Sequence, residues 1–185
     1  MRVIAGKAKG RKLKCKKGLS TRPMTNRIKK MVFDTLSNKV VDAYILDLYA
    51  GSGSLGIEAL SRGGKRAVFV EKDYTVANFL KQNIINTSFK DVSDIFIMNV
   101  TKSINILANK KLKFNIIFCD PPYKINEVKI KNILEKIVKS ELLTIDGELI
   151  YHHSKRISFS EIFEKLKLIK DKKVGESVVS FYRYI

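Results

Sequence analysis

Hydrophobic positions along the chain change their spacing near residue 44. Before it, Arg2-Val3-Ile4-Ala5 and Arg11-Lys12-Leu13-Lys14-Cys15 flank a lysine-rich Gly6 to Gly10 turn, the pattern of a small hairpin with one cationic face. A loop over Gly18 to Pro23 follows. Thr25 then caps a predicted helix with Ile28, Val32, Phe33 and Leu36 in one apolar stripe and Arg27, Lys29 and Lys30 on the other face.

From residue 44 onward, short apolar runs alternate with helical patterns. The spacing predicts strands at Tyr44 to Leu48, Ala67 to Glu71, Ile95 to Met98, Phe114 to Phe118 and Leu149 to His152. Helices are predicted between them at Ser54 to Arg62, Thr75 to Asn86, Thr101 to Ala108 and Val128 to Leu142. Buried strands alternating with helices imply an α/β domain whose mostly parallel sheet is covered on both faces. Leu166 to Ile169 and Val178 to Tyr184, around a turn at Gly175, read as an antiparallel pair closing the sheet. No repeat or long linker intervenes, so residues 1–39 are expected to be an extension of a domain spanning 40–185.

Charge changes that picture. Residues 1–39 hold 13 Lys or Arg against the single acid Asp34, a net of 13 − 1 = +12 out of +18 for all 185 residues. A lysine-rich composition does not explain such asymmetry, and a concentrated basic segment suits a phosphate backbone. Arg11, Lys12, Arg22 and Arg27 are the expected nucleic-acid contacts. No apolar run is long enough to span a membrane, and no apolar block follows the basic start as in a signal peptide. The expected location is the cytoplasm. Cys15 and Cys119 stand far apart, without a disulfide framework or zinc spacing.

Two stretches carry candidate chemistry. The first, Asp47-Leu48-Tyr49-Ala50-Gly51-Ser52-Gly53-Ser54-Leu55-Gly56, leaves a strand and opens a helix, the setting in which a G-x-G-x-x-G match implies a nucleoside ligand. Gly51, Ser52, Gly53 and Gly56 would let the ligand approach the main chain, and Glu71, 20 residues after Gly51, would accept from a ribose diol. Nicotinamide dinucleotides use the same geometry. Asp47, Glu71 and Asp120 gathered at one sheet edge suit a cationic sulfonium better than a pyrophosphate, which favours S-adenosylmethionine. Asn99, ending the third strand, is a candidate for the adenine edge or a helix cap.

The second is Cys119-Asp120-Pro121-Pro122-Tyr123, where two prolines end a buried strand and leave a carboxylate and an aromatic ring at its carboxyl end. Cys119 should point away from Asp120 into the core, and adjacent His152 and His153 on a strand should face opposite sides in structural or surface roles. No metal or covalent nucleophile is required.

With both motifs placed, the sequence resembles the Rossmann-like methyltransferases that act on exocyclic amino groups, and more closely the RsmD family of 16S rRNA guanine-N2 methyltransferases. The likeness is carried by Arg2 to Gly6, Gly10 to Leu13, Leu19 to Arg27, Asp47 to Gly63, Glu71 and Asp120 to Tyr123. It implies a seven-stranded sheet, S-adenosylmethionine as methyl donor, and a guanine in 16S rRNA of the small ribosomal subunit as acceptor, the family favouring an assembled particle. On this pattern Asp120 and the Pro121 carbonyl accept the two N–H bonds of guanine's 2-amino group, Pro122 stiffens the turn, and Tyr123 stacks on the extruded base. Met24, Asn26, Lys30 and His152 depart from the family pattern, Lys30 standing where an acid is usual and His152 where a Glu is common. A monomer is expected. The alternatives are an adenine-amino methyltransferase on DNA or RNA, a nicotinamide-dependent oxidoreductase and a non-catalytic RNA-binding assembly factor.

Overall fold

A computed structural model describes residues 1–15, 24–122, 125–157, 162–163 and 165–185. Arg22 and Tyr123 therefore lie outside the described residues. The sheet is built from β1 (Tyr44–Leu48), β2 (Arg66–Glu71), β3 (Ser93–Ile97), β4 (Phe114–Cys119), β5 (Leu143–Ser154), β6 (Ile162–Phe163), β7 (Leu166–Val174) and β8 (Ser177–Tyr184). Its order is β3-β2-β1-β4-β5-β8-β7-β6. Neighbours from β3 to β5 are parallel, whereas β8 runs antiparallel to both β5 and β7. This is the Rossmann-like sheet of seven strands, with the two-residue β6 added at its edge.

Helices α1 (Asn26–Leu36), α2 (Ser54–Ser61), α3 (Tyr74–Asn86), α4 (Val100–Asn109) and α5 (Glu127–Lys139) cover the faces. Strand alternation divides the core in two. Ile45, Phe69, Phe118 and Ile150 join α1, α2 and α3 on one face. Leu46, Val70, Ile117 and Tyr151 join α4 and α5 on the other. Thr25, Asp73, Asn99 and Asn126 each accept a first-turn amide at a helix start, which fixes where α1, α3, α4 and α5 leave the sheet edge.

The amino-terminal arm forms the expected small hairpin: Arg2 and Lys12 make an antiparallel bridge, Val3 N donates to Arg11 O at 3.0 Å and Leu13 N donates to Met1 O at 2.9 Å. Other polar groups of the arm go to the domain. Ile4 and Ala5 donate to Glu58 at 2.8 and 3.0 Å, and Ala8 donates to Ser61 Oγ at 2.9 Å. Lys14 exchanges bonds with Asn83, whose Nδ2 also donates to Ser52 O at 2.9 Å. Gly6 is required at the turn because a Cβ there would sit 1.7 Å from Ser61 O. Val3, Ala8 and Leu13 enter the same apolar layer as α1 and α2.

Lys29 is the clearest correction on α1. Expected on the polar face, it is fully buried and pairs with Glu58 at 3.0 Å, while its ammonium donates to Arg2 O at 2.9 Å. A cation can be buried there because a carboxylate and a carbonyl meet it. Arg27 and Lys30 remain exposed, and Lys30 pairs one turn on with Asp34.

Candidate active site

The connections reverse direction between β1 and β4, and the crevice outside the carboxyl ends of these two strands is where an open α/β sheet takes its ligand. A cavity of about 1220 Å³ lies there, bordered by Asp47, Gly51, Ser52, Glu71, Asn99, Asp120, Pro121 and Pro122. Residues predicted from two separate motifs thus border one cavity.

The glycine loop turns sharply off β1, with Tyr49, Gly51 and Gly53 at φ 62°, 57° and 80°. At Gly51 an added Cβ would come no nearer to another atom than 3.9 Å, so its glycine serves conformation and leaves the main chain open to the cavity. Glu71 holds the loop down: Oε2 accepts from Gly51 N at 3.0 Å and Oε1 from Asp73 N at 2.9 Å. Each carboxylate oxygen still has a second lone pair for a ligand hydroxyl.

Asp47 is buried, and its Oδ2 accepts from Gly56 N at 2.9 Å in the first turn of α2. Burial pushes its carboxyl up to about 7; the Gly56 amide opposes the rise, and the negative charges of Asp120 and Glu71 add to it. Because the folded value stands above the ordinary one of about 3.9, the folded chain holds a proton that the unfolded chain releases. Asp47's contribution to stability is therefore complete below about pH 4 and is lost as pH rises through about 7. Asp47→Asn should flatten the pH dependence of unfolding free energy over this window, by up to about 1.4 kcal/mol per pH unit. Denaturant titrations from about pH 4 to 8 measure this, and equal slopes in the two proteins would count against it.

Asp120 follows β4 on the turn that Pro121-Pro122 creates. Its Oδ1 lies 2.7 Å from Nδ1 of His152, a buried side chain on β5. Cys119 faces away into the α4 and α5 layer as expected, and burial pushes its thiol well above the ordinary range.

The family profile described as "Conserved hypothetical protein 95" matches residues 1–183. This chain belongs to that family, the RsmD-type methyltransferases. YlbH of Bacillus subtilis, a putative rRNA methyltransferase by name, is 34% identical over 183 residues, covering 99% of this chain and 98% of its own length. Ribosomal RNA small subunit methyltransferase D of Haemophilus influenzae is 33% identical over 186 aligned positions, covering 100% of this chain and 93% of the relative. Among solved structures, a methyltransferase-like protein of Escherichia coli, yhhF, superposes with a TM-score of 0.85 at 28% identity, over 100% of this chain and 97% of that one.

Within this RsmD-type site, some expected residues take other work. Gly53 and Gly56 do not border the cavity. A Cβ at Gly53 would lie 2.4 Å from Leu80 Cδ1, and one at Gly56 would lie 2.3 Å from the Phe69 ring, so both serve close helix packing. Asn99 borders the cavity, but its Oδ1 caps α4 by accepting from Lys102 N at 2.8 Å. His152 and His153 do face opposite ways, yet both are buried, and His152 meets Asp120 without bordering the cavity.

The cavity also uses residues that the sequence pattern did not single out. Ser54, at the start of α2, borders it with a buried hydroxyl that has no hydrogen-bond partner among the described residues. Asp73 borders it too, and its position two residues after Glu71, at a helix start, was a readable signal. Met1, Cys15 and Met24 reach the wall from the arm and the start of α1. Their contribution depends on arm docking, which no local pattern encodes.

Proposed function

We propose that this chain transfers a methyl group from S-adenosylmethionine to the exocyclic 2-amino group of a guanine in 16S rRNA of the small ribosomal subunit. The observation that carries the proposal is the opening of the Asp120-Pro121-Pro122 turn into the same cavity as Gly51 and Glu71. The name of the Haemophilus influenzae relative supports small-subunit rRNA as the substrate class.

The residues present fit the donor. Three carboxylates, Asp47, Glu71 and Asp120, border the cavity and favour a cation, and the unpaired Ser54 hydroxyl offers a buried polar contact. When bound, S-adenosylmethionine supplies a methyl group activated by a sulfonium. Glu71 would accept from its ribose diol, Gly51 and Ser52 would meet it with main chain, Asp47 would serve its cationic end, and Asn99 would serve its adenine. Asp120 and the Pro121 carbonyl accept from the guanine amine, which turns the nitrogen lone pair out of conjugation and stabilises charge as it grows there. Pro122 fixes the turn, and Tyr123 stacks on the base, offsetting part of the few kcal/mol that extruding it costs.

Residues 1–39 are the RNA-binding extension, with Arg11, Lys12, Arg22 and Arg27 on phosphates, and the chain acts as a cytoplasmic monomer on an assembled or assembling subunit. Neutralising Arg11, Lys12 and Arg27 together should weaken RNA binding and reduce the slope of log affinity against log salt by about 0.7 to 0.9 for each phosphate no longer neutralised. An unchanged slope in salt-dependent binding assays would remove the arm from the RNA site.

The test of the function is transfer of labelled methyl from S-adenosylmethionine to small ribosomal subunits lacking this modification, with product nucleosides identified by mass spectrometry. 2-Methylguanosine is the expected product. Methyladenosine would overturn the acceptor, and donor binding without transfer would favour a non-catalytic RNA-binding factor.

A further inference from the structure

Asp120 sits on a turn, its carboxylate about a quarter exposed, and among the described residues the group that meets this carboxylate comes from another strand. β4 and β5 are parallel with Cys119 opposite Tyr151, so the following residues, Asp120 and His152, are lateral neighbours, and Asp120 borders the cavity. Here the strands part company. Two prolines end β4 at once, whereas β5 continues to Ser154 because β8 pairs with it residue for residue, His152 lying opposite Val179. His152 therefore rises from a strand that β8 holds in register, beside a carboxylate on a turn.

The ring is 3% exposed, on the face of the sheet that carries Ile150 and Phe118. A buried imidazole needs polar partners to offset its lost hydration, and Nδ1 meets one of them, Asp120 Oδ1, at 2.7 Å. Against a carboxylate, Nδ1 must carry the proton and donate, which sets the tautomer. One carboxylate oxygen is thereby engaged by the protein, leaving Oδ2 for an incoming amine.

We propose that His152 is a positioning residue for methyl transfer: its Nδ1–H fixes the Asp120 carboxylate so that the other oxygen is held toward the acceptor's amino group. The proposal rests on the function assigned above to Asp120.

Two measurements test this. The chain has two histidines, so long-range ¹H–¹⁵N spectra of histidine-labelled protein are simple, and a His152→Leu spectrum assigns them. His152 is expected to carry a proton on Nδ1, with signals that move in Asp120→Ala. The Nε2–H tautomer, or signals indifferent to Asp120→Ala, would overturn the proposal. In kinetics, His152→Leu should lower kcat on the order of 10-fold to 100-fold, as misplacement of a reacting group does, with donor affinity and the KM for subunits held within a few-fold. His152→Asn, whose amide can donate from nearly the same place, should recover much of that loss. A His152→Leu enzyme with kcat within about twofold of wild type would also overturn it. Wild-type protein that transfers nothing to the subunits would instead sink the substrate assignment, and the spectra would still decide the role of His152.

Discussion

Asp120→Ala is expected to lower methyl transfer by about 10²-fold to 10³-fold while leaving affinity for S-adenosylmethionine within a few-fold, the loss typical of removing one preorganised polar group from a transition state. The split follows from position. Asp120 lies on the turn after β4, whereas Gly51 and Glu71 are locked together by their own 3.0 Å hydrogen bond on the other side of β1. Removing the Asp120 carboxylate breaks no bond within the glycine loop. It has one distant electrostatic effect: Asp120 is among the charges that raise the carboxyl of Asp47, so the Asp47 titration should move down from about 7 in the variant. Single-turnover transfer, donor titration by calorimetry and a carboxyl titration of Asp47 measure the three consequences. Donor affinity falling in step with the rate would show that Asp120 belongs to the donor site and would sink its role as acceptor for the amine.

The parts of this site that could be read in the sequence are those fixed within one segment. Pro121-Pro122 must end β4, and Gly51 must follow β1 for the chain to take φ 57° beside the cavity. The register between segments is a different matter. The pairing of Cys119 with Tyr151 across β4 and β5 brings Asp120 to His152, and β8 pairs with β5 beyond the point where β4 stops. Lys29 is a similar case: its spacing on α1 puts it among polar neighbours, and only docking of the arm over α2 encloses it. The extent of β7 was hidden for another reason. Lys170 to Lys173 carry no apolar alternation, yet near a sheet edge a lysine-rich strand is tolerated and discourages pairing with other chains.

Docking of the arm is also where the largest stability effect is expected. Glu58→Ala should destabilise the chain by about 3 to 5 kcal/mol, the usual cost of leaving a buried charge without its partner. Both side chains of the Lys29–Glu58 pair are fully buried, and Glu58 also accepts from Arg62 Nε at 2.9 Å and from the amides of Ile4 and Ala5. The alanine variant thus removes the carboxylate partner of one ammonium, one guanidinium and two amides. Burial already lowers the proton affinity of Lys29, and Glu58 opposes that shift, so its loss drives Lys29 lower still. The folded variant then binds fewer protons than the unfolded chain, and its stability rises with pH up to the ordinary lysine range. Destabilisation measured by denaturant should accordingly shrink as pH is raised. Two companion variants separate the causes. Glu58→Gln keeps an acceptor for the amides and should lose less than alanine, while adding Lys29→Met to Glu58→Ala removes the stranded charge and should restore part of the loss. The amides would remain unmet, so the double variant should stay below wild type. If Glu58→Ala costs under about 1 kcal/mol, or if Lys29→Met restores nothing, the buried pair is not what clamps the arm to α2.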